Sequence, residues 1–181
     1  MLWIRPANVF DAPVLGDLHA ASWRNAYRDM LSDAFLAGDV AADRRAMWAR
    51  RLSRPAANEH VFLAGAGHAA LGFVSMFGDE DPQWGSYINN LHVQLSQQCQ
   101  GIGTQLLHAC AGLCTQRYSH AGLYLWVAQS NEKAQRFYLH HGARNQGDCT
   151  WRSPEGREVA LHRLVWTDVA QLQQATTHRE D

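Results

Sequence analysis

The segment from Gln98 to Thr104 (QCQGIGT) combines two glycines with the start of an amphipathic helix. Glycines let a backbone approach a ligand closely, and the N–H groups at a helix N-terminus attract negative charge. The spacing therefore favours binding of a phosphate group. A Walker-type loop is excluded because Thr104-Gln105 replaces the required Lys-Ser/Thr, and a dinucleotide fingerprint is excluded because Leu106 replaces its third glycine. A plain helix start would carry the same glycines, so the segment alone leaves both interpretations open.

A second short helix with aromatic residues follows the strongly apolar stretch 122–128. Asn131 is a favourable N-cap for this helix, and Gly142 is a favourable end. Ala134, Phe137 and Tyr138 share one side of it. The apolar stretch before it has the pattern of a central strand that is buried on both faces.

The elements around these two segments follow a simple order. Hydrophobic periodicity predicts strands at 2–7, 60–64, 70–77, 84–93, 122–128, 144–151 and 157–166. Helices are predicted from Asp11, over 32–52 with a break near Gly38-Asp39, from Gly101 and from Asn131. The composition of 78–82 predicts a turn. The fold class is therefore α/β (α+β), with one mixed sheet that carries helices on its faces.

Charge, hydropathy and cysteine content exclude several classes of protein. With 16 Lys+Arg against 17 Asp+Glu, the net charge of -1 argues against a dedicated nucleic-acid binder. No apolar run is long enough for a membrane span, and no secretory leader is visible. The four cysteines form no Cys-x-x-Cys pair, so we expect reduced thiols, no metal site and a cytoplasmic protein. Length predicts a single domain over residues 1–170, followed by a polar C-terminal tail, 171–181.

Taken together, the two motifs resemble the GNAT superfamily of acyl-CoA-dependent N-acetyltransferases. The pattern Gln-x-x-Gly-x-Gly after a strand ending at Val93, and the pattern Asn-x-x-Ala-x-x-Phe-Tyr-x-x-x-Gly after the buried strand, are similar to its two cofactor-side motifs. In the N-terminal half, Ser22-Trp23-Arg24-x-Ala26-Tyr27 is similar to a common bacterial branch. The resemblance covers nearly the whole chain. It implies the GNAT fold, with about seven mostly antiparallel strands that splay apart in the centre and about four flanking helices.

The resemblance also implies how acetyl-CoA, the acyl donor, is bound. Backbone N–H groups of the glycine loop would hold its pyrophosphate: Gln98, Gln100, Gly101, Gly103 and Thr104. The pantetheine arm would pair with the backbone of the strand end, in a slot where strands 84–93 and 122–128 splay apart: Leu91, His92 and Val93. The second motif would add Asn131, Ala134 and Phe137, although Asn131 has an alternative role as a helix cap and Phe137 as a core residue.

Two catalytic tasks follow from the same resemblance. Tyr138 resembles the residue that protonates the departing CoA thiolate, its alternative being a core tyrosine. Tyr87 occupies the position at which relatives often carry a Glu base, and Asn89 lies on the same face of the strand. Because an ordinary tyrosine has a pKa near ~10, it is a poor base at neutral pH. We therefore hypothesise that the amine loses its proton through water ordered by Tyr87 and Asn89, with His92 as the alternative base.

Two loop positions depart from the family pattern. Cys99 stands where relatives often have Gly, and Gln100 where they often have Arg or Lys. The first bears on the geometry of the loop. The second removes a positive charge from the phosphate site, while the cradle of backbone N–H groups remains.

The sequence offers only candidate residues for the binding site of the acceptor amine. The candidate walls of an acceptor pocket are aromatic, each with a core alternative: Trp23, Tyr27, Trp84 and Trp126. The acidic run 79–81 would attract a cationic amine or form a solvated turn, and the arginines of 44–54 would bind a carboxylate or form a solvated helix face.

The predicted function is acetyl transfer from acetyl-CoA to a primary amine of a small molecule, by direct attack in a ternary complex. The alternatives are a protein or peptide N-terminal acetyltransferase and a non-catalytic acyl-CoA sensor. We expect no nucleic-acid, membrane or metal partner, and a homodimer is left open.

Overall fold

The computed structural model describes residues 1–26, 38, 40–118, 122–153 and 156–174. The elements follow the predicted order, with one further helix at the C-terminal end. The strands are β1 Leu2–Pro6, β2 Glu59–Ala66, β3 Ala69–Asp81, β4 Gly85–Val93, β5 Leu123–Ala128, β6 Arg144–Arg152 and β7 Glu158–Trp166. The helices are α1 Ala12–Ala26, α2 Val40–Ser53, α3 Ile102–Arg117, α4 Glu132–His140 and α5 Val169–Gln174.

The seven strands form one mixed sheet in the order β1-β2-β3-β4-β5-β7-β6. β1 runs antiparallel to β2, and β7 runs antiparallel to both β5 and β6. β4 and β5 are parallel, with Ser86–Ile88 opposite Leu123–Leu125. The α/β fold with a seven-stranded sheet that the sequence predicts is thus confirmed.

The chain divides into two compact units, of which the first comprises Met1–Ser75 and Asn90–Leu107. Its core joins α1, α2 and the strands β2 and β3 through Leu15, Leu18, Trp48, Leu63 and Phe73. α1 and α2 approach closely at Gly16, where an added Cβ atom would lie 2.5 Å from Arg45 Cγ. Any larger residue at position 16 would push the two helices apart.

The second unit comprises Met76–Asn89 and His108–Asp181. β5 is buried on both faces, as its apolar sequence predicts. β6 lies at the edge of the sheet and carries a register shift: Asn145 faces Leu164 and Asp148 faces His162, so β6 has one residue more than β7 between these pairs. This extra residue is a β-bulge.

Two elements differ from the sequence-based expectations. β3 continues through the predicted turn at 78–82 to Asp81, with Asp79 in the left-handed region at φ 46°. α5 enters the segment expected to be a tail, and its Leu172 is buried. The helix expected over 32–52 is described from Val40; residues 27–37 and 175–181 lie outside the described ranges, so the single-domain and tail boundaries stay predictions.

Candidate active site

The glycine loop leaves β4 through a 3-10 turn, Leu95–Gln97, and enters α3 at Ile102. The loop backbone turns sharply at two places: Cys99 has φ 63° and Gly101 has φ 79°. A left-handed backbone disfavours residues with a Cβ atom, so glycine suits both positions. This geometry explains physically why a Cys at position 99 is a departure from the family pattern.

The loop satisfies the main requirement of an anion site. The N–H group of Gln105 donates to Gly101 O at 3.0 Å, which closes a turn at the start of α3. The preceding N–H groups of Ile102 and Gly103 have no intrahelical acceptor by the geometry of a helix start. At Gly101 a Cβ atom would meet nothing within 4 Å, so space for a ligand is open beside the turn. The residues present therefore fit a phosphate-bearing substrate.

The same loop departs from the predicted set of donors at Gln98. Its backbone N–H group points to Leu95 O at 3.4 Å, and its side-chain amide donates to Val93 O at 3.3 Å. Gln98 thus ties the loop to the end of β4. Segment 94–105 contains no Lys or Arg, so this segment itself attracts an anion through its backbone dipoles.

At the end of β4, the His92 side chain is held against α1. Its Nδ1 atom lies 2.6 Å from Ser22 Oγ, and its ring lies 5.0 Å from the ring of His19. Burial lowers the pKa of His92 to about 4. His92 is therefore neutral at physiological pH, but its low pKa makes it a weak base, which disfavours it as the alternative to a water relay.

His19 is the centre of an aromatic cluster beside His92. Its Nδ1 atom accepts a hydrogen bond from Trp48 Nε1 at 3.1 Å, and Phe73 lies on another side of the ring. Among the described residues, none accepts a hydrogen bond from the buried Nε2 atom. Burial, reinforced by unfavourable electrostatic interactions with His92, Arg44 and Arg51, lowers the pKa of His19 to about 2.

The second motif forms α4 as predicted. The side chain of Asn131 accepts a hydrogen bond from Ala134 N at 3.1 Å, so Asn131 does serve as the N-cap. Phe137 is half-buried and contacts the rings of Tyr138 and His141. Tyr138 is buried, with its ring edge-to-face with Trp166 at 6.0 Å. The chain turns out of the helix at Gly142, where φ is 86°.

The predicted base position lies on an aromatic face of the sheet. Tyr87 stacks on Tyr124 with ring centroids 5.1 Å apart. Because side chains alternate along a strand, Asn89 shares the face of Tyr87, and Trp126 shares that of Tyr124. Burial and the charges of Asp81 and Glu80 raise the pKa of Tyr124 to about 12, while Arg163 opposes this shift.

Trp84 and Trp126, predicted as walls of an acceptor pocket, both contact a cation. The guanidinium carbon of Arg163 lies 4.5 Å from the ring centroid of Trp84 and 4.7 Å from that of Trp126. Arg163 faces Trp126 across the β5–β7 pair. Arg163 was not among the predicted site residues; its signal in the sequence is an arginine within an otherwise largely apolar strand.

Trp23, the other described wall candidate, contacts the guanidinium of Arg44 at 4.6 Å, and Tyr27 lies outside the described residues. Much of the arginine run is engaged within the protein. Arg45 pairs with Asp17, and Arg51 pairs with the buried carboxylate of Glu59 at 2.6 Å. Arg45 and Arg51 are therefore already neutralised by carboxylates of the protein.

Two kinds of feature are missing from the described part of the chain. Within these ranges, no three His, Cys, Asp or Glu side chains converge in a way that would hold a metal ion. No helix in the same part of the chain is long and apolar enough to span a membrane.

Comparison with known proteins adds independent observations. The sequence pattern described as "Acetyltransferase (GNAT) family" matches residues 21–143. Comparison with the sequences of curated proteins gives no match.

Solved structures with the same fold are numerous. A GCN5-related N-acetyltransferase from Rhodopseudomonas palustris is 23% identical, with a TM-score of 0.71, and the match covers 92% of this chain and 95% of the other. The PaiA N-acetyltransferase from Thermoplasma acidophilum, solved with coenzyme A, is 15% identical, with a TM-score of 0.70 and coverage of 89% and 98%. The spermidine N-acetyltransferase SpeG from Vibrio cholerae is 16% identical, with a TM-score of 0.68 and coverage of 96% and 98%.

Proposed function

This chain belongs to the GNAT acetyltransferase family, and from that premise we propose that it transfers an acetyl group from acetyl-CoA to a primary amine of a small molecule. The observation that carries the proposal is the glycine loop, where a left-handed turn with open space precedes the N-terminus of α3. Such a turn favours a pyrophosphate. Acetyl-CoA supplies the activated acetyl thioester, and the chain binds, orients and moves protons.

Different residues bind the different parts of acetyl-CoA. Backbone N–H groups at Gln100, Gly101 and Gly103 hold the pyrophosphate, while the side chain of Gln98 fixes the loop to Val93. In the family pattern, the backbone of Leu91 and Val93 pairs with the pantetheine arm. Orientation of the two reactants supplies a large part of the rate, because it replaces a bimolecular encounter.

Two proton transfers complete the reaction. The Tyr138 hydroxyl donates a proton to the departing thiolate. The acceptor's ammonium loses its proton to water ordered by Tyr87 and Asn89, and the free amine attacks the thioester directly. The low pKa of His92 supports the water route over a histidine base.

Acetyl-CoA binding and turnover test the proposal separately. We expect Gly101→Glu to abolish acetyl-CoA binding in calorimetry, because it places a negative charge at a site for anions. Gly101→Asn is the matched control, because Asn tolerates a left-handed backbone and adds no charge. Unchanged affinity in Gly101→Glu would contradict the phosphate assignment.

Release of free CoA is then measured with a panel of small amines and with peptides carrying free N-termini. Turnover with small amines is expected. Turnover with peptides alone would favour an N-terminal acetyltransferase, and tight acetyl-CoA binding without turnover would favour a sensor.

A further inference from the structure

We propose that Arg163, held between Trp84 and Trp126, binds the carboxylate of the acceptor, so that the acceptors are amino acids or related amino carboxylates. This inference rests on the proposed function and narrows its substrate class. All the residues that carry it belong to the second compact unit.

The first observation concerns the contacts of the Arg163 guanidinium group. The guanidinium carbon lies over both indole rings, 4.5 Å and 4.7 Å from their centroids, and these contacts leave its in-plane N–H donors available to other partners. Within the described residues, the buried Nε atom has no hydrogen-bond acceptor. A buried donor without a partner is costly, and a strongly basic side chain in this state is suited to an incoming anion.

The second observation is preorganisation. Trp126 is fixed opposite Arg163 by the β5–β7 pairing. Trp84 is fixed by Asp81, whose Oδ1 atom accepts from the backbone N–H groups of Gln83 at 2.7 Å and Trp84 at 2.9 Å. A planar guanidinium that is already immobilised loses little entropy when it forms two parallel hydrogen bonds to a carboxylate.

The third observation is the arrangement of charge. Arg163 acts on the Tyr124 hydroxyl together with the carboxylates of Asp81 and Glu80, so charges of both signs surround this group. A zwitterion matches such a site, with its carboxylate on Arg163 and its ammonium towards the acidic side chains. A polyamine, which carries only positive charge, would be repelled by Arg163.

The fourth observation is location. Arg163 shares a face of the sheet with Trp126 and Tyr124, which pairs with Tyr87, the predicted base position. Arg163, Trp84 and Trp126 are each half-buried, so a small ligand can reach them. An amine whose carboxylate is anchored here would lie on the face that carries Tyr87 and Asn89.

The test compares each proteinogenic amino acid with its own amide as acceptor, with CoA release as the readout. The amide keeps the amine and the side chain but removes the carboxylate. Its amine is less basic and more often unprotonated, so intrinsic reactivity favours the amide. We expect kcat/KM to favour at least one amino acid over its amide by tenfold or more, in line with about 10- to 100-fold for a charged hydrogen bond.

Two substitutions then test Arg163 itself. Arg163→Met, which keeps an unbranched chain between the indoles, should abolish the preference, and Arg163→Lys, which keeps the charge but not the fork, should reduce it about tenfold. Arg117→Gln removes an exposed arginine from the end of α3 and should leave the preference intact. An unchanged preference in both Arg163 variants would overturn the proposal, as would amides that equal or exceed their acids in the wild-type enzyme.

A binding measurement on the wild-type protein separates this proposal from the proposed function. Proton–nitrogen NMR of arginine-labelled protein reports on Arg163 Nε–H, with the resonance assigned by its loss in Arg163→Lys. Addition of the amino acids used as acceptors should shift this resonance, and addition of the corresponding amides should not. If no amine is acetylated, the proposed function fails, and the NMR titration alone tests the role of Arg163. A shift that depends on the carboxylate then supports an anion site at Arg163, and the absence of such a shift refutes it.

Discussion

Acidification from pH 7 to pH 5 is expected to destabilise this protein through His19 and His92. Burial lowers the pKa of His19 to about 2 and that of His92 to about 4, whereas a histidine in an unfolded chain titrates near ~6.5. Below pH 6.5 the unfolded chain therefore binds protons that the folded chain does not. Above pH 6.5 these two histidines therefore leave the free energy of unfolding unchanged. Below it, their contribution lowers the free energy of unfolding as the pH decreases.

The magnitude follows from the two shifts. At pH 5 each histidine is mostly protonated in the unfolded chain and mostly neutral in the folded one, which costs about 2 kcal/mol per site at 1.36 kcal/mol per pKa unit. The two sites together cost about 4 kcal/mol, a large part of the 5–15 kcal/mol typical of a domain. The contribution of His92 is complete near pH 4, whereas that of His19 continues to grow below it.

Urea unfolding followed by tryptophan fluorescence at pH 7, 6 and 5 measures the effect. His19→Asn removes the titrating group and retains an acceptor for Trp48, so it should remove about half of the pH dependence. His92→Asn should do the same while retaining a polar partner for Ser22. The exposed His68 provides the control, and His68→Asn should leave the dependence unchanged. Equal pH dependence in the wild type and in both buried-site variants would refute the reasoning.

Three further predictions concern the loop and the chemistry. Cys99→Gly should stabilise the fold by about 0.5 kcal/mol, because relief of a left-handed Cβ exceeds the added backbone entropy; urea titration that shows a loss of stability would contradict this. Tyr138→Phe should lower kcat by about 10- to 1000-fold with acetyl-CoA affinity unchanged in calorimetry, and an unchanged kcat with rate-limiting chemistry would assign Tyr138 to packing alone. The profile of kcat/KM against pH should follow the pKa of each acceptor amine for two different acceptors, whereas a fixed limb that disappears in His92→Asn would make His92 the base.

Local patterns predicted most of the architecture. The order of strands and helices followed from periodicity, and the cap at Asn131 and the exit at Gly142 followed from single residue types. Family membership was predicted from two short motifs and is confirmed by a match over residues 21–143. The assigned site residues themselves stay predictions.

Tertiary context explains what the sequence did not reveal. Residues 78–82 have the composition of a turn, yet β3 continues to Asp81, and the backbone N–H group of Asp79 donates to Ser86 Oγ of β4 at 3.2 Å. Arg163 and Trp126 come from two strands and Trp84 from the turn before β4, and Ser22 and His92 are 70 positions apart. Such partners are brought together by strand register and helix packing, which no local pattern records.

The β-bulge in β6 has a consequence for association between molecules. It places Asn145 and Asp148 around one ring, with His162 Nδ1 lying 3.0 Å from Asn145 Nδ2 and 2.6 Å from Asp148 Oδ1. It also interrupts the row of outward N–H and C=O groups that an edge strand offers to another chain. A second copy that added its own β6 here would lose hydrogen bonds at the bulge and bring two Asp148 carboxylates near each other. We expect this edge to resist cross-β growth, and a deletion of Gly147 that restores a regular ladder to aggregate faster.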